Sequence, residues 1–148
     1  MLKKKTVFII FILLILFIRL IFGTDYTKCI NSNWKINIPK KAKLQEIYSK
    51  TDEANVLGDG VRYHIFSYEE EKYIKNLFNW TDKEKEIRHY SSYTEAITKW
   101  LEEINVPKEK YPNYTESLYW HDVQEDDSQI IIIWSKQENK LYIIESFL

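Results

Sequence analysis

The chain has 148 residues, with 21 lysines and arginines, 22 aspartates and glutamates, and one cysteine. Four of the basic residues lie in the first 23 positions, so the remaining 125 residues carry 17 basic and 22 acidic side chains, a net charge of about −5. This sign argues against nucleic acid or anionic lipid as a partner. The lone cysteine, Cys29, excludes an internal disulfide.

The N-terminus carries the strongest pattern in the sequence. Three lysines at positions 3–5 precede an uninterrupted apolar run over 7–18, which Arg19 follows. By the positive-inside rule, these lysines keep the N-terminus in the cytoplasm and direct the rest of the chain outside. A helix over 6–23 would extend roughly 27 Å, close to a hydrocarbon thickness of about 30 Å. The sequence therefore predicts a single-pass membrane anchor with an extracytoplasmic C-terminal part.

Cleavage of this segment is the alternative. A signal peptidase needs small residues at the first and third positions before the cut, and a cut after Gly23 places Ile21 at the third. An uncleaved anchor is therefore favoured over secretion. Lipid attachment at Cys29 is disfavoured, because Lys28 rather than a small residue precedes it.

The predicted organisation is an anchor or signal segment over residues 1–23, a polar tether over 24–33 and one extracytoplasmic domain over 34–148. The 125 residues after the segment suffice for one domain with its own core. Strand-like alternation, helical spacing and three closing strands together predict the α+β class. We expect a mostly antiparallel sheet of about five or six strands, packed on two or three helices.

Two strands are predicted at the start of the domain. Trp34, Ile36 and Ile38 alternate with polar residues, as in a strand with one buried face, and Pro39 ends the pattern. A second and less regular strand is predicted over 42–50. The polar residues before Trp34 are expected to form a short tether that keeps the domain close to the bilayer.

A turn, a strand and a helix are predicted next. The Gly-Asp-Gly sequence at 58–60 is typical of a tight turn, and the β-branched and aromatic run over 61–68 predicts a strand. An anion-binding loop is the alternative for the turn, but it lacks the extension of a phosphate loop. Three glutamates at 69–71 then precede apolar residues at helical spacing over 73–78, and a capping pattern at Thr81 predicts a further helical piece.

The clearest helical pattern follows Ser92. Glu95 lies three residues later, as in a capping box, and Pro107 marks the end of the helix. The apolar stripe has i, i+3, i+4, i+7 spacing and comprises Ile97, Trp100, Leu101 and Ile104. A loop over 107–115 is expected to return the chain to the sheet.

The last third of the chain predicts a three-stranded antiparallel meander over 118–124, 130–134 and 141–147. Both alternating faces of 130–134 are apolar, which indicates an interior strand with neither face in water. Helices are expected to cover one face of the sheet. The other face is assigned to residues from the N-terminal strands, with a second protein or a second copy as the alternative.

The sequence contains no recognisable catalytic or metal-binding motif. His64, His89 and His121 fall on separate predicted elements without metal-ligand spacing, so we predict neither a metal nor a cofactor. If the chain catalyses a reaction, His64 beside Arg62, or His121 beside Asp122, is the first candidate. No nucleophile elbow accompanies the serines.

Abundant aromatic residues supply the candidates for a binding surface. Tyrosine and tryptophan are enriched at energetically important positions of protein interfaces, and they also provide stacking platforms for sugars. Packing in the core is the competing interpretation for each ring. The candidates for a partner surface are Trp80, Tyr111, Tyr114 and Trp120.

Three short segments carry a resemblance to a known group of proteins. They are Ile-Asn-Ile-Pro-Lys at 36–40, Gly-Asp-Gly-Val-Arg-Tyr at 58–63 and Lys-Leu-Tyr-Ile-Ile-Glu at 140–145. Together they resemble small exported or membrane-anchored proteins of low-GC Gram-positive bacteria. The resemblance implies a bacterial surface location and no particular activity. Many members look like lipoproteins, whereas this chain lacks a lipid-attachment motif, so the anchor would replace the lipid.

The leading hypothesis is a membrane-anchored, noncatalytic protein-binding module of the immunity, exclusion or sensor-accessory type. Its expected partners are the membrane, through residues 6–23, and another protein at the cell surface. The alternatives are a cell-wall hydrolase and a module that binds wall carbohydrate. The expected location is the cell membrane, or the exterior if the segment is cleaved.

Overall fold

The computed structural model describes residues 26–40, 42, 44–49, 60–80 and 87–148. The chain divides into two compact units, 1–40 and 41–148. The predicted anchor over 6–23, the first two residues of the turn at 58–60 and the helical piece predicted at Thr81 lie outside the described residues. Among the described residues, no helix has both the length and the apolar character needed to cross a membrane.

The described part of the first unit contains helix α1, Tyr26–Trp34, where a tether and the start of a strand were predicted. The predicted strand from Trp34 to Ile38 is wrong, because Trp34 ends the helix and residues 35–40 belong to no strand. Instead, the Asn31 side-chain amide donates to the Ile38 carbonyl at 3.0 Å and accepts from the Ile38 N–H at 2.6 Å. An asparagine amide has a donor and an acceptor side by side, so it can bond both the N–H and the carbonyl of one residue. The Asn31 side chain thus makes the hydrogen bonds that a neighbouring strand would otherwise make with Ile38.

The second unit is built on one five-stranded antiparallel sheet with the strand order β1-β2-β5-β4-β3. The sheet confirms the predicted α+β class, the strands predicted over 42–50 and 61–68, and the closing meander. β5 lies at the centre, with β2 and β4 as its neighbours. The bounds are β1 Leu44–Ser49, β2 Gly60–Ser67, β3 Ser117–Val123, β4 Gln129–Ser135 and β5 Lys140–Phe147.

Both faces of the inner strands are buried, as the apolar pattern of 130–134 predicts. The helix face, packed against the second α-helix, includes Val61, Tyr63, Ile65, Tyr119, Ile131, Ile133, Tyr142 and Ile144. The far face includes Phe66, Ile130, Ile132, Trp134, Leu141 and Ile143, each at most 1 % exposed. The segment after β2 covers part of the far face, because Phe78 stacks on Trp120 and Trp80 packs on Trp134.

Helix α2, Ile87–Glu103, covers the helix face. It begins five residues before the predicted cap at Ser92, which therefore lies inside the helix. The predicted apolar stripe is confirmed, since Ile97, Leu101 and Ile104 are buried. Trp100 is half-buried at the edge of the same cluster.

Asn105 ends α2 in a left-handed conformation, with φ 57°. Its N–H donates to the Glu102 carbonyl at 3.0 Å, and the Val106 N–H reaches back to the Leu101 carbonyl at 2.9 Å. This pair of bonds is a Schellman cap, in which asparagine takes the place usually held by glycine. The helix therefore stops before Pro107.

The helix predicted from the glutamates at 69–71 is reduced to one 3₁₀ turn, Glu71–Tyr73. The Glu70 side chain accepts no capping hydrogen bond, and the Ile74 and Leu77 N–H groups bond to carbonyls three residues back. The tight turns keep Ile74 fully buried. The loop after α2 contains two further 3₁₀ turns, Lys108–Lys110 and Tyr114–Glu116.

Candidate functional site

The four aromatic residues predicted as a partner surface lie on two sides of the sheet. Tyr111 and Tyr114 pack against the helix-face core. Trp80 and Trp120 belong to the far face, where each contacts another ring. The four side chains therefore do not form one continuous surface, and a role in partner binding stays a prediction for each.

The two tryptophans are held by neighbours that use part of their surface. The Trp120 ring stacks on Phe78 with 4.3 Å between centroids, and Trp80 lies 5.3 Å from Trp134. The Trp80 indole N–H also donates to the Ile74 carbonyl at 3.3 Å. One face of Trp120 is thus already covered, which leaves less of this ring for a sugar or a protein partner.

Tyr111 lines a cavity of the second unit, which we call the Glu46 pocket. Its volume is about 320 Å³. The walls come from β1, the loop after α2, the β4–β5 turn and the start of β5. The lining residues are Glu46, Ile65, Glu109, Lys110, Tyr111, Asn113, Glu116, Ser135, Gln137, Glu138, Lys140 and Tyr142.

Strand register explains how distant parts of the sequence meet in this pocket. Glu46 on β1 and Tyr142 on β5 both face Ile65 of β2 across the sheet. In an antiparallel sheet, residues in register project from the same face. The hydroxyl of buried Tyr63 then fixes the loop after α2, because it donates to the Lys110 carbonyl at 2.7 Å.

One wall of the pocket carries an ion pair between Lys110 and Glu46. The Lys110 ammonium lies 3.0 Å and 2.8 Å from the two carboxylate oxygens of Glu46, and the Tyr48 hydroxyl donates to one of them at 3.1 Å. The hydrogen bond from Lys110 is the main cause that lowers the pKa of Glu46. The same bond raises the pKa of Lys110.

Another wall carries a second ion pair, between Lys140 and Glu138. The Lys140 ammonium donates to one carboxylate oxygen of Glu138 at 2.9 Å, and the Tyr142 hydroxyl donates to the other at 2.6 Å. The bond from Tyr142 is the main cause that lowers the pKa of Glu138. Burial, followed by this bond, raises the pKa of Tyr142.

The charges that line the pocket do not balance. Four glutamates face two lysines, which gives a net charge of about −2 at neutral pH. Each lysine is already bonded to one glutamate, Glu46 or Glu138. Glu109 and Glu116 are exposed at the rim and supply the excess negative charge.

The predicted histidine pairs do not assemble into a reactive site. His121 is exposed and its ring lies 4.8 Å from Tyr93, whereas Asp122 accepts from the N–H of Val123 at 3.0 Å. Adjacent residues of a strand project to opposite faces, so His121 and Asp122 point apart. His89 lies in α2, and its side chain is outside the described part of the structure.

His64 is paired with a residue that the sequence did not single out. Its Nε2 lies 2.9 Å from an oxygen of Glu145, and both side chains are at most 3 % exposed. Arg62, the predicted neighbour, instead places its guanidinium 4.7 Å from the Phe147 ring centre. The sequence feature that could have indicated this partner is the single glutamate, Glu145, directly after the apolar run over 141–144.

The described residues offer no evident metal site. Among them, no group of three histidine, cysteine, aspartate or glutamate side chains is close enough to hold an ion. Burial also keeps the pair of His64 and Glu145 away from a substrate in solution. In the Glu46 pocket, by contrast, charged groups, an aromatic ring and accessible space coincide.

The buried pair of His64 and Glu145 leads to a prediction about the stability of the fold. We expect His64→Ala to lower the free energy of unfolding by about 3–5 kcal/mol, because it deprives the buried carboxyl of Glu145 of its histidine partner. Urea unfolding of the full chain in detergent, followed by tryptophan fluorescence, measures this change. His121→Ala, at an exposed histidine, is the control, and we expect a change of about 0.5 kcal/mol or less. Equal effects of the two substitutions would contradict a stabilising role for the pair.

The ion pair between Lys110 and Glu46 leads to a prediction about the pH dependence of stability. A lowered carboxyl pKa stabilises the fold above the ordinary value of 4.5, and this contribution is lost as the pH falls through the lowered value. Lys110→Gln should raise the pKa of Glu46 and reduce this acid-dependent loss of stability. NMR titration of the glutamate carboxyl carbons measures the pKa directly. Lys108→Gln is the control, and an unchanged Glu46 midpoint in Lys110→Gln would refute the assignment.

Comparison of the chain with protein-family models, with curated proteins and with solved structures finds no match. The resemblance to small exported or membrane-anchored bacterial proteins therefore stays an expectation from the sequence. The observations that bear on function are the charges, the ring and the geometry of the Glu46 pocket.

Proposed function

We propose that this chain is a noncatalytic protein-binding module, anchored at the outer face of a cell membrane, that contacts another protein through the Glu46 pocket and its rim. The observation that carries the proposal is the pocket itself, with its charged walls and Tyr111. Aromatic side chains, tyrosine among them, are enriched at the centres of protein interfaces, and polar groups surround them at the rim. An immunity, exclusion or sensor-accessory role fits such a module.

The electrostatics of the pocket favour binding over hydrolysis. A general acid needs a carboxyl that is still protonated near neutral pH, which requires a raised pKa. In the pocket, the pKa values of Glu46 and Glu138 are both lowered, so these groups carry full negative charge. Fixed charges of this kind serve recognition, because they select a partner with the complementary charge.

The rigid construction of the pocket also supports recognition. Glu46 and Glu138 are each held by a lysine and a tyrosine hydroxyl. Side chains that are already ordered lose little conformational entropy when a partner binds. The walls are therefore preorganised before contact.

The anchor adds a concentration effect to this proposal. Residues 6–23 have the length and apolar character of a membrane span in the sequence, and the lysines at 3–5 favour an outer location for the domain. Confinement near the bilayer raises the effective concentration toward a membrane-associated partner. Modest contacts at one pocket then suffice for capture.

Photo-crosslinking in the cells that make the protein tests partner binding. With the crosslinking residue at Gln137, which is exposed and lines the pocket, we expect a discrete adduct with another protein. The control position is Glu125, exposed in the β3–β4 turn, where we expect none. Tyr111→Ala should weaken the adduct, whereas Tyr73→Ala, at a half-buried tyrosine outside the pocket, should not. Identical adducts from both positions, or none from Gln137, would count against the proposal.

Cys29 provides a direct test of location. It is the single cysteine and its side chain is exposed, so a membrane-impermeant maleimide should label it in intact cells. A matched variant combines Cys29→Ser with Lys3→Cys, which moves the thiol to the other side of the apolar run. We expect that variant to react only after permeabilisation. Labelling of Cys29 only in permeabilised cells would exclude an outer location, and the mass of the labelled chain reports whether the segment is cleaved.

A further inference from the structure

We propose that the Glu46 pocket receives an arginine side chain presented by the partner protein. The inference rests on the proposed function and adds the chemistry of the group that is recognised. Its basis is the size of the cavity, the pairing of its lysines, the excess of negative charge and the tyrosine in its wall.

The size of the pocket is sufficient for a single side chain. Its volume of about 320 Å³ is at the lower end of the range of roughly 300–1,000 Å³ for ligand sites. One extended side chain, entering from the rim formed by Glu109, Glu116 and Gln137, fits a cavity of this volume.

The ion pairs that both lysines form with glutamates disfavour an anionic ligand. An anion at Lys110 or Lys140 would compete with a carboxylate that is already bonded to that lysine at 3.0 Å or less. A cation needs no such exchange. It can bind to the exposed carboxylates of Glu109 and Glu116 while both ion pairs persist. Its positive charge then offsets part of the net charge of about −2 on the pocket lining.

The distribution of acceptors favours a guanidinium over an ammonium. Carboxylates are present at the rim and on both walls, and Gln137 adds an amide oxygen. A guanidinium has five donors in a planar fork and stacks on aromatic rings, whereas an ammonium is a compact point charge with three donors. Tyr111 supplies a half-buried ring at the side of the cavity.

Three small probes test the chemistry on the full chain in neutral detergent micelles. N-acetyl-arginine methylamide should shift the NMR signals of the Gln137 side-chain amide and of Tyr111 in a saturable manner. The citrulline analogue has nearly the same shape without the charge, and it should shift neither signal. The lysine analogue should bind more weakly than arginine. Equal shifts from citrulline and arginine, or equal affinity for lysine and arginine, would overturn the proposal.

A pair of charge-matched variants locates the binding. The double substitution Glu109→Gln and Glu116→Gln removes two rim charges and should weaken binding of the arginine probe about tenfold. The control is Glu69→Gln with Glu71→Gln, which removes two exposed charges outside the pocket and should leave binding unchanged. Equal weakening in the two double variants would show a general charge effect and would refute the site.

The crosslinking experiment separates this inference from the proposed function. If the adduct from Gln137 persists in the Glu109 and Glu116 double variant, the protein partner stands and arginine recognition fails. If the arginine probe binds as expected but no protein adduct forms in cells, the pocket chemistry stands and the proposed function fails. Loss of the adduct together with weakened probe binding supports both.

Discussion

The structure depends on the burial of strands β4 and β5 on both faces. Isoleucines of β4 point alternately to the helix face and the far face, and none is more than 4 % exposed. Each buried isoleucine stabilises the fold by about 1.5–3 kcal/mol relative to exposure. The chain must therefore pass over the sheet on both sides. On one side α2 does so, and the loop that leads from α2 back to β3 forms a wall of the Glu46 pocket.

Sharp changes of direction in the second unit use asparagine and aspartate where glycine is more common. Asn105, Asp127 and Asn139 all have φ values between 50° and 64°. Short polar side chains tolerate this left-handed region better than other residues with a Cβ. Asn105 ends α2 before the pocket loop, and Asn139 lies between Glu138 and Lys140. Local conformations at these residues thus set the position of two pocket walls.

The sequence predicted most of the sheet because burial leaves a direct trace in strand alternation. Both faces of 130–134 are apolar, and the structure buries both. Apolar alternation gave a wrong strand prediction around Trp34, because a helix end followed by an extended segment has the same spacing of apolar residues as a strand. The amide of Asn31 supplies the hydrogen bonds of Ile38 that a neighbouring strand would have supplied. The apolar pattern is compatible with both a strand and a helix end followed by an extended segment, and the Asn31 side chain stabilises the second of these structures.

The candidate site was much less predictable, because its residues come from four separate segments. Tyr111 was identified by its type, but Glu46 and Glu138 are two of 22 acidic residues in the chain. Their proximity depends on the register of β1, β2 and β5, which composition and spacing do not fix. The pair of His64 and Glu145 has the same origin, since 81 positions separate the two residues and strand pairing brings them together.

The two walls of the pocket share a support inside the core. The Tyr63 and Tyr142 rings are nearly parallel, at 10° with 6.3 Å between centroids, and their hydroxyls bond to Lys110 and Glu138. A change in packing around either phenol therefore displaces a wall of the Glu46 pocket. The shape of the pocket can consequently change through substitutions at buried positions as well as through substitutions of the lining residues.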